Sequence, residues 1–272
     1  MSTWVNGRRA HHVDCRDRGL QYGDGVFETM CVRRRAVRLL DYHLERLEAS
    51  CRRLMIDPPD EQRLRGEIGR AAATRGSAVL KLIVTRGVGP RGYRPTGRER
   101  STRILTLGPP PGTKGRDPPP LRVRVCATRL GSNPALAGLK TLNRLESVLA
   151  RSEWSGMRVR EGLMMDMDEN FVCGTMSNLF LRRGKILMTP LLDRCGVAGV
   201  MRRWVLEQAG VLSLSVLERR IRWADIRAAE EVFMTNALNG PMPVAEIANG
   251  RERVRPPAAA AALALRARLE AL

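Results

Sequence analysis

Gly138-Leu139-Lys140-Thr141-Leu142-Asn143-Arg144-Leu145-Glu146 contains one of only four lysines in a chain of 272 residues that also carries 43 arginines. An amine that does covalent chemistry must be able to lose its proton. Lysine can do so when it is desolvated or crowded by positive charge, and arginine cannot. The search for a nucleophilic amine therefore starts from four positions. Lys81 lies within Val79-Leu80-Lys81-Leu82-Ile83-Val84, on one face of an expected strand. Lys114 falls in a Pro/Gly-rich stretch, and Lys185 in the turn Arg182-Arg183-Gly184-Lys185. Lys140 alone follows a Gly/Pro/Asn-rich loop and stands at the start of a helix-like run, expected to extend from Lys140 to Ser155 with Leu142, Leu145, Val148 and Leu149 on one side.

Outward from that stretch, strand and helix patterns alternate. Gly25 to Val32 reads as a strand and Arg33-Arg34-Arg35 as a turn. Leu44, Leu47, Cys51 and Leu54 recur at three- and four-residue steps, which predicts a helix over Tyr42 to Met55, ended by Pro58-Pro59. A second helix is expected over Glu61 to Arg75, and strands over Val79 to Arg86 and Arg103 to Leu107. Prolines and glycines dominate residues 108–120, which excludes helix and central strand. The chain is accordingly read as an N-terminal α/β domain (1–107), an interdomain linker (108–120) and a C-terminal domain (121–272). In the last, strands are expected at 121–129, 161–166, 178–181, 186–190 and 231–235, with helices at 199–209 and 258–272. The fold class is α/β (α+β) in two lobes.

Composition bounds the function. The hydrophobic content of 43% suits a globular protein. No stretch approaches the roughly 20 apolar residues of a membrane span, and the first residues lack the apolar core of a signal peptide. Six scattered cysteines without CxxC spacing read as reduced thiols, with no metal site. These features together predict a cytoplasmic protein without a membrane segment. The formal charge of +19 raises nucleic-acid binding as one reading. The arginines are spread evenly, there is no basic tail and aromatic content is 4%, which leaves few stacking platforms. The basic field suits small anionic ligands instead.

Four further segments carry possible chemistry. Asp193-Arg194-Cys195-Gly196-Val197-Ala198-Gly199 leads into a helix, and such a loop either binds phosphate through backbone N–H groups or merely starts the helix. Thr235-Asn236 ends an apolar strand, where Thr235 either donates to a phosphate oxygen or terminates the strand. Arg46 is a surface arginine or a phosphate clamp. Gly174-Thr175-Met176-Ser177-Asn178 lines a pocket or forms an ordinary turn.

The ordered set, with Asp17-Arg18-Gly19-Leu20-Gln21-Tyr22-Gly23-Asp24-Gly25-Val26-Phe27-Glu28-Thr29, His43-Leu44-Glu45-Arg46-Leu47 and Arg86-Gly87-Val88-Gly89-Pro90-Arg91-Gly92-Tyr93, resembles the fold-type IV pyridoxal-phosphate enzymes from about residue 4 to 245. Lys140-Thr141-Leu142-Asn143-Arg144-Leu145-Glu146, with Arg91-Gly92-Tyr93 upstream, is most similar to the aminodeoxychorismate lyase branch. The resemblance implies pyridoxal 5'-phosphate as cofactor, a cleft between two lobes, and a homodimer. It implies Lys140 as the Schiff-base lysine and acid/base. Arg46, Thr235 and the backbone of Val197 and Ala198 would hold the phosphate, Asn178 would support the pocket, and Arg91 with Tyr93 would meet a small anionic substrate. The implied activity converts 4-amino-4-deoxychorismate to 4-aminobenzoate and pyruvate. Alternatives are a D-amino-acid or branched-chain aminotransferase on the same scaffold, and a degenerate, non-catalytic homologue. The last is kept open by Cys173, which occupies the place where the family carries a glutamate for the pyridine nitrogen. Nearby Asp166, Asp168 and Glu169 are candidate substitutes for that carboxylate. Leu20 stands where some lyases have a threonine.

Overall fold

The computed structural model describes residues 1–110 and 119–272. Most of the expected linker, and Lys114 with it, lies outside the described residues. The chain divides into two units, Met1–Arg116 with Lys140–Asn143, and Asp117–Leu139 with Arg144–Leu272.

The first unit contains β1 (Ser2–Val5), β2 (Arg8–Arg9), α1 (Arg18–Tyr22), β3 (Gly25–Arg33), β4 (Ala36–Val37), α2 (Leu40–Arg53), α3 (Glu61–Ala73), β5 (Ser77–Thr85) and β6 (Thr102–Gly108). Its strands pair in the order β2-β1-β6-β5-β3-β4. Asn6 and Gly7, at φ 51° and 82°, make the tight β1–β2 turn that Asn-Gly favours. Asp60 caps α3 by accepting from the Arg63 amide at 2.7 Å. On β3, Val26, Met30 and Val32 alternate toward a core that Leu44, Leu47 and Cys51 of α2 and Ile68 of α3 complete. The period of two on the strand and the three- to four-residue steps on the helix thus bury the same side.

The second unit contains β7 (Leu121–Leu130), α4 (Leu145–Ser152), β8 (Glu161–Asp166), β9 (Phe171–Gly174), β10 (Asn178–Arg183), β11 (Ile186–Pro190), α5 (Val200–Gln208), β12 (Ser215–Arg219), α6 (Trp223–Ala228), β13 (Glu231–Asn236), β14 (Gly240–Asn249), β15 (Glu252–Val254) and α7 (Ala260–Glu270). The strand order is β12-β11-β10-β13-β14-β7-β8-β9, and β9 also pairs back to β10. That return pairing, Cys173 opposite Asn178, closes β10, β13, β14, β7, β8 and β9 into a ring. Leu121, Val123, Leu163, Leu179, Leu181, Val232 and Met234 pack together on one face of it. On the other face Phe180 and Phe233 stack with ring centroids 5.0 Å apart.

One expectation is corrected at the segment that opened the sequence reading. Lys140 does not begin a helix; α4 starts at Leu145. The Phe27 amide donates to the Lys140 carbonyl and the Leu142 amide to the Gly25 carbonyl, each at 3.0 Å, while Thr141 bridges Val26. These backbone groups are engaged by β3 and cannot also close helical turns. Lys140 therefore belongs with the first unit, although it follows β7 in sequence. The short strands β9 and β12 and the long β14 were not expected. The proline-bearing start of β14, Gly240-Pro241-Met242-Pro243, hides its strand character.

Candidate functional site

In the first unit, the pairing of residues 140–142 with β3 sets where the Lys140 amine can reach. Its Nζ lies 4.2 Å from the Phe27 ring centroid, and Lys81 Nζ lies 5.1 Å from the same centroid. A half-buried ammonium over an aromatic face is attracted by the ring quadrupole.

Glu28 is the next residue on β3 and points the opposite way, toward α2. It is 1% exposed, as is His43. Arg46 Nε donates to Glu28 Oε1 at 2.8 Å and Arg46 Nη2 to Oε2 at 2.5 Å. His43 Nδ1 is 2.6 Å from Oε2. Burial pushes the Glu28 carboxyl up, but the Arg46 charge and the His43 hydrogen bond together hold it down at about 2. Burial lowers His43, against the pull of Glu28. The result is a neutral imidazole donating from Nδ1 to a buried carboxylate.

The loop that carries Arg91 and Tyr93 is anchored by Arg18, which is 2% exposed. Arg18 Nη1 donates to the Gly92 carbonyl at 2.8 Å and Nη2 to the Tyr93 carbonyl at 2.9 Å. The Gly92 amide donates to Tyr22 Oη at 3.0 Å. Asp24 holds Arg18 and Arg86. The loop backbone is fixed, while Arg91 is exposed and Tyr93 is 85% exposed. Leu20 is 66% exposed on α1.

In the second unit, Cys173, Asn178 and Thr235 form one row. Cys173 faces Asn178 across β9 and β10, and Asn178 faces Thr235 across β10 and β13. Directly paired residues present side chains to the same side of a sheet. Asn178 Nδ2 donates to the Val197 carbonyl at 2.8 Å, tying the row to the loop before α5. Gly199 caps α5 without a side chain, and a Cβ there would come within 2.1 Å of Asn178 Oδ1. The Ala198 amide donates to the Gly138 carbonyl at 3.0 Å, so Ala198 is committed to that contact. The first-turn amides of α5 have no carbonyl within the helix to meet and stand at its positive dipole end. Thr235 is 0% exposed, and its Oγ1 is buried without a hydrogen-bond partner.

Cys173 is buried, and burial first, then the neighbouring Cys195 and Glu161, push its thiol up to about 12 against the opposing charge of Arg144. It is a neutral thiol at physiological pH. The three carboxylates flagged beside it do not replace a glutamate. Asp166 accepts from the Asp168 and Asn170 amides at 3.0 and 2.8 Å and holds the β8–β9 turn. Asp168 pairs with Arg194, and Glu169 sits in the turn at φ 61°.

Sequence reasoning missed Glu161, which is 3% exposed. It accepts from the Thr175 amide at 3.0 Å and Thr175 Oγ1 at 2.5 Å, and from Ser177 Oγ at 2.6 Å. Glu161 holds the Gly174–Asn178 loop, and Gly174 is required because a Cβ would meet Ser177 Oγ at 2.3 Å. Glu161 shares a face with Leu163, out of phase with Met164, the residue opposite Cys173. It is therefore on the other face from the Cys173 row. A charge heading a strand whose middle, Gly162 to Met165, is apolar was the available signal. Glu28 and His43 were missed because their partners lie 15 to 18 residues away in sequence. Among the described residues, no group of three or more His, Cys, Asp or Glu side chains could hold a metal ion, and no helix is long and apolar enough to cross a membrane.

The family model for amino-transferase class IV matches residues 25–247. The aminodeoxychorismate lyase of Vibrio harveyi is 36% identical over 92% of this chain and 93% of its own length. That of Bacillus subtilis is 26% identical over 90% and 86%. The crystal structure of 4-amino-4-deoxychorismate lyase from Pseudomonas aeruginosa superposes with a TM-score of 0.91 at 46% identity, covering 99% of this chain and 98% of that one.

Proposed function

The chain belongs to the amino-transferase class IV family, and on that premise we propose that it is a pyridoxal-phosphate-dependent lyase that converts 4-amino-4-deoxychorismate to 4-aminobenzoate and pyruvate. The observation that carries this reading is the likeness to a lyase at 46% identity over 99% of the chain. The Vibrio harveyi relative, at 36% identity, is also a lyase, and the family match spans residues of both units.

The residues fit the cofactor. Thr235 Oγ1, buried and unpartnered, leaves a hydroxyl whose desolvation costs about 1–3 kcal/mol until an acceptor meets it. A phosphate oxygen is such an acceptor. Arg46, Thr235, the Val197 amide and the opening amides of α5 are all donors or cations, as a phosphate requires. Lys140 supplies the amine for the aldehyde, and Asn178 fixes the loop that presents Val197. When bound, the cofactor supplies the electron-accepting ring and the aldehyde carbon.

This chain's own residues supply position and proton transfer. Lys140 Nζ takes the proton from the substrate carbon that bears the amino group, and that proton ends on the departing enolpyruvyl group as pyruvate forms. Arg91, with Tyr93 beside it, meets the substrate's carboxylates. The enolpyruvyl ether bond breaks, pyruvate leaves, and the six-membered ring becomes aromatic, so atoms balance without an oxidant. Cys173 presents a neutral thiol in the place of a carboxylate and supplies no charge to a ring nitrogen. The driving force of aromatisation makes a lyase less dependent on that charge than a transaminase.

The proposal extends to a cytoplasmic homodimer with domains at 1–107 and 121–272, except that residues 140–143 of the second stretch belong with the first unit. The dimer is supported by α4, where Leu145, Val148 and Leu149 are 76%, 56% and 61% exposed at steps of three and four residues, an apolar stripe suited to a second copy. The test of the reaction is Lys140→Ala. It should lose at least about a thousandfold of pyruvate release, together with the visible absorbance gained on adding pyridoxal phosphate. Retained turnover would remove Lys140 from the reaction. Formation of pyridoxamine phosphate from D-alanine or a branched-chain amino acid, without pyruvate from aminodeoxychorismate, would replace the lyase with a transaminase.

A further inference from the structure

We propose that Glu28 and His43 are positioning residues that orient Arg46 toward a phosphate group. The inference deepens the reading above and rests on Arg46 being a phosphate ligand. Glu28 engages Arg46 through both Nε and Nη2, at 2.8 and 2.5 Å. This fork fixes the plane of the guanidinium as well as its location. An arginine on a helix otherwise loses considerable rotamer freedom when it binds an anion, and here that freedom is removed in advance. The two partners differ in burial in the way such a device needs. The Glu28 side chain is 2% exposed and that of Arg46 is 14% exposed, so the carboxylate is an internal anchor and the guanidinium is the member that reaches the edge of the unit.

His43 completes the anchor. It approaches the same Oε2 that Arg46 Nη2 contacts, and lies one turn before Arg46 on α2, so both project to one side of the helix. Its N–H limits the rotation of the carboxylate and so indirectly that of the guanidinium. A purely structural ion pair would not need a buried imidazole on the same oxygen. Burying a carboxylate with one cation is close to neutral in stability. A net gain is expected when the cation has a second, anionic ligand to hold.

The experiment titrates the purified full-length chain with pyridoxal phosphate and, separately, with pyridoxal, following absorbance. The ratio of the two dissociation constants isolates what the phosphate contributes. Arg46→Ala should collapse that ratio. Glu28→Gln keeps the shape of the side chain but loses its charge. It should reduce the ratio by roughly tenfold, with the affinity for pyridoxal itself changing by less than about twofold. His43→Asn should give a smaller reduction in the same direction. Equal weakening toward both ligands would assign Glu28 to the fold alone and overturn the positioning role. If Arg46→Ala leaves the ratio unchanged, the phosphate assignment of Arg46 fails, independently of what Glu28 does. Should Glu28→Gln not fold, Glu28→Asp, charged but one methylene short of the fork, is read by the same ratio.

Discussion

Cys173 stands directly opposite Asn178 where β9 returns to β10 and the strand ring of the second unit closes. A neutral thiol thus occupies the same row as Asn178 and Thr235, and Glu161 lies on the other face. Cys173→Glu places a carboxylate in that row beside the charge of Arg144, which already acts on Cys173. Pyruvate release should rise by about tenfold if the missing charge limits turnover, whereas Cys173→Ser, neutral like the thiol, should stay within about twofold. An unchanged rate in the glutamate variant would show that ring charge does not limit this enzyme.

Thr235→Val separates ligand binding from stability. The substitution is nearly isosteric and removes a buried hydroxyl that has no partner in the protein. The ligand-free chain should gain about 1 kcal/mol in urea unfolding. Affinity for pyridoxal phosphate should fall by about tenfold. Effects of opposite sign are the signature; a loss of both would mean that the hydroxyl serves the fold.

Acid should weaken the first unit in two stages. His43 is held below its usual 6.5 by burial, so below that pH the unfolded chain takes up a proton that the folded chain does not, and stability declines. Glu28 titrates at about 2 rather than 4.5. Its contribution is complete above 4.5 and is lost as pH falls through about 2. Circular dichroism against urea across pH 7 to 2 should show Glu28→Gln flattening the lower part of the curve and His43→Asn the upper part. An identical pH dependence in all three proteins would dissolve the argument for a charged, buried Glu28.

The apolar stripe on α4 gives the fourth expectation. Leu149→Arg puts a charge on a face where Leu145, Val148 and Leu149 are all more than half exposed. Sedimentation equilibrium should then report a monomer where the parent chain is a dimer, with little change in secondary structure. A monomeric parent chain would remove the homodimer.

The candidate site was legible in sequence where the proposed chemistry is carried by residue types. Lysine is scarce here, so Lys140 stood out, and Thr235-Asn236 and Gly196-Val197-Ala198-Gly199 keep their meaning as short local motifs. Helix α2 followed from apolar spacing, α3, α5 and α7 were also expected, and most of the long strands followed from apolar runs. Periodicity failed where the backbone's partners are distant. Leu142, Leu145, Val148 and Leu149 have helical spacing, but Leu142 is bonded to Gly25 and the other three face outward. The same limit hid Glu28, His43 and Glu161, whose roles consist entirely of what the fold brings to them.

Sequence by itself determined the family, the candidate amine at Lys140 and the absence of a glutamate at position 173, since these depend only on which side chains the chain carries and in what order. Tertiary structure decided that Lys140 is extended along β3, that Arg46 is held by Glu28, itself held by His43, and that Glu161 lies on the face away from Cys173. Each of these turns on strand register and side-chain direction, and a one-residue change of register reverses the face a side chain occupies.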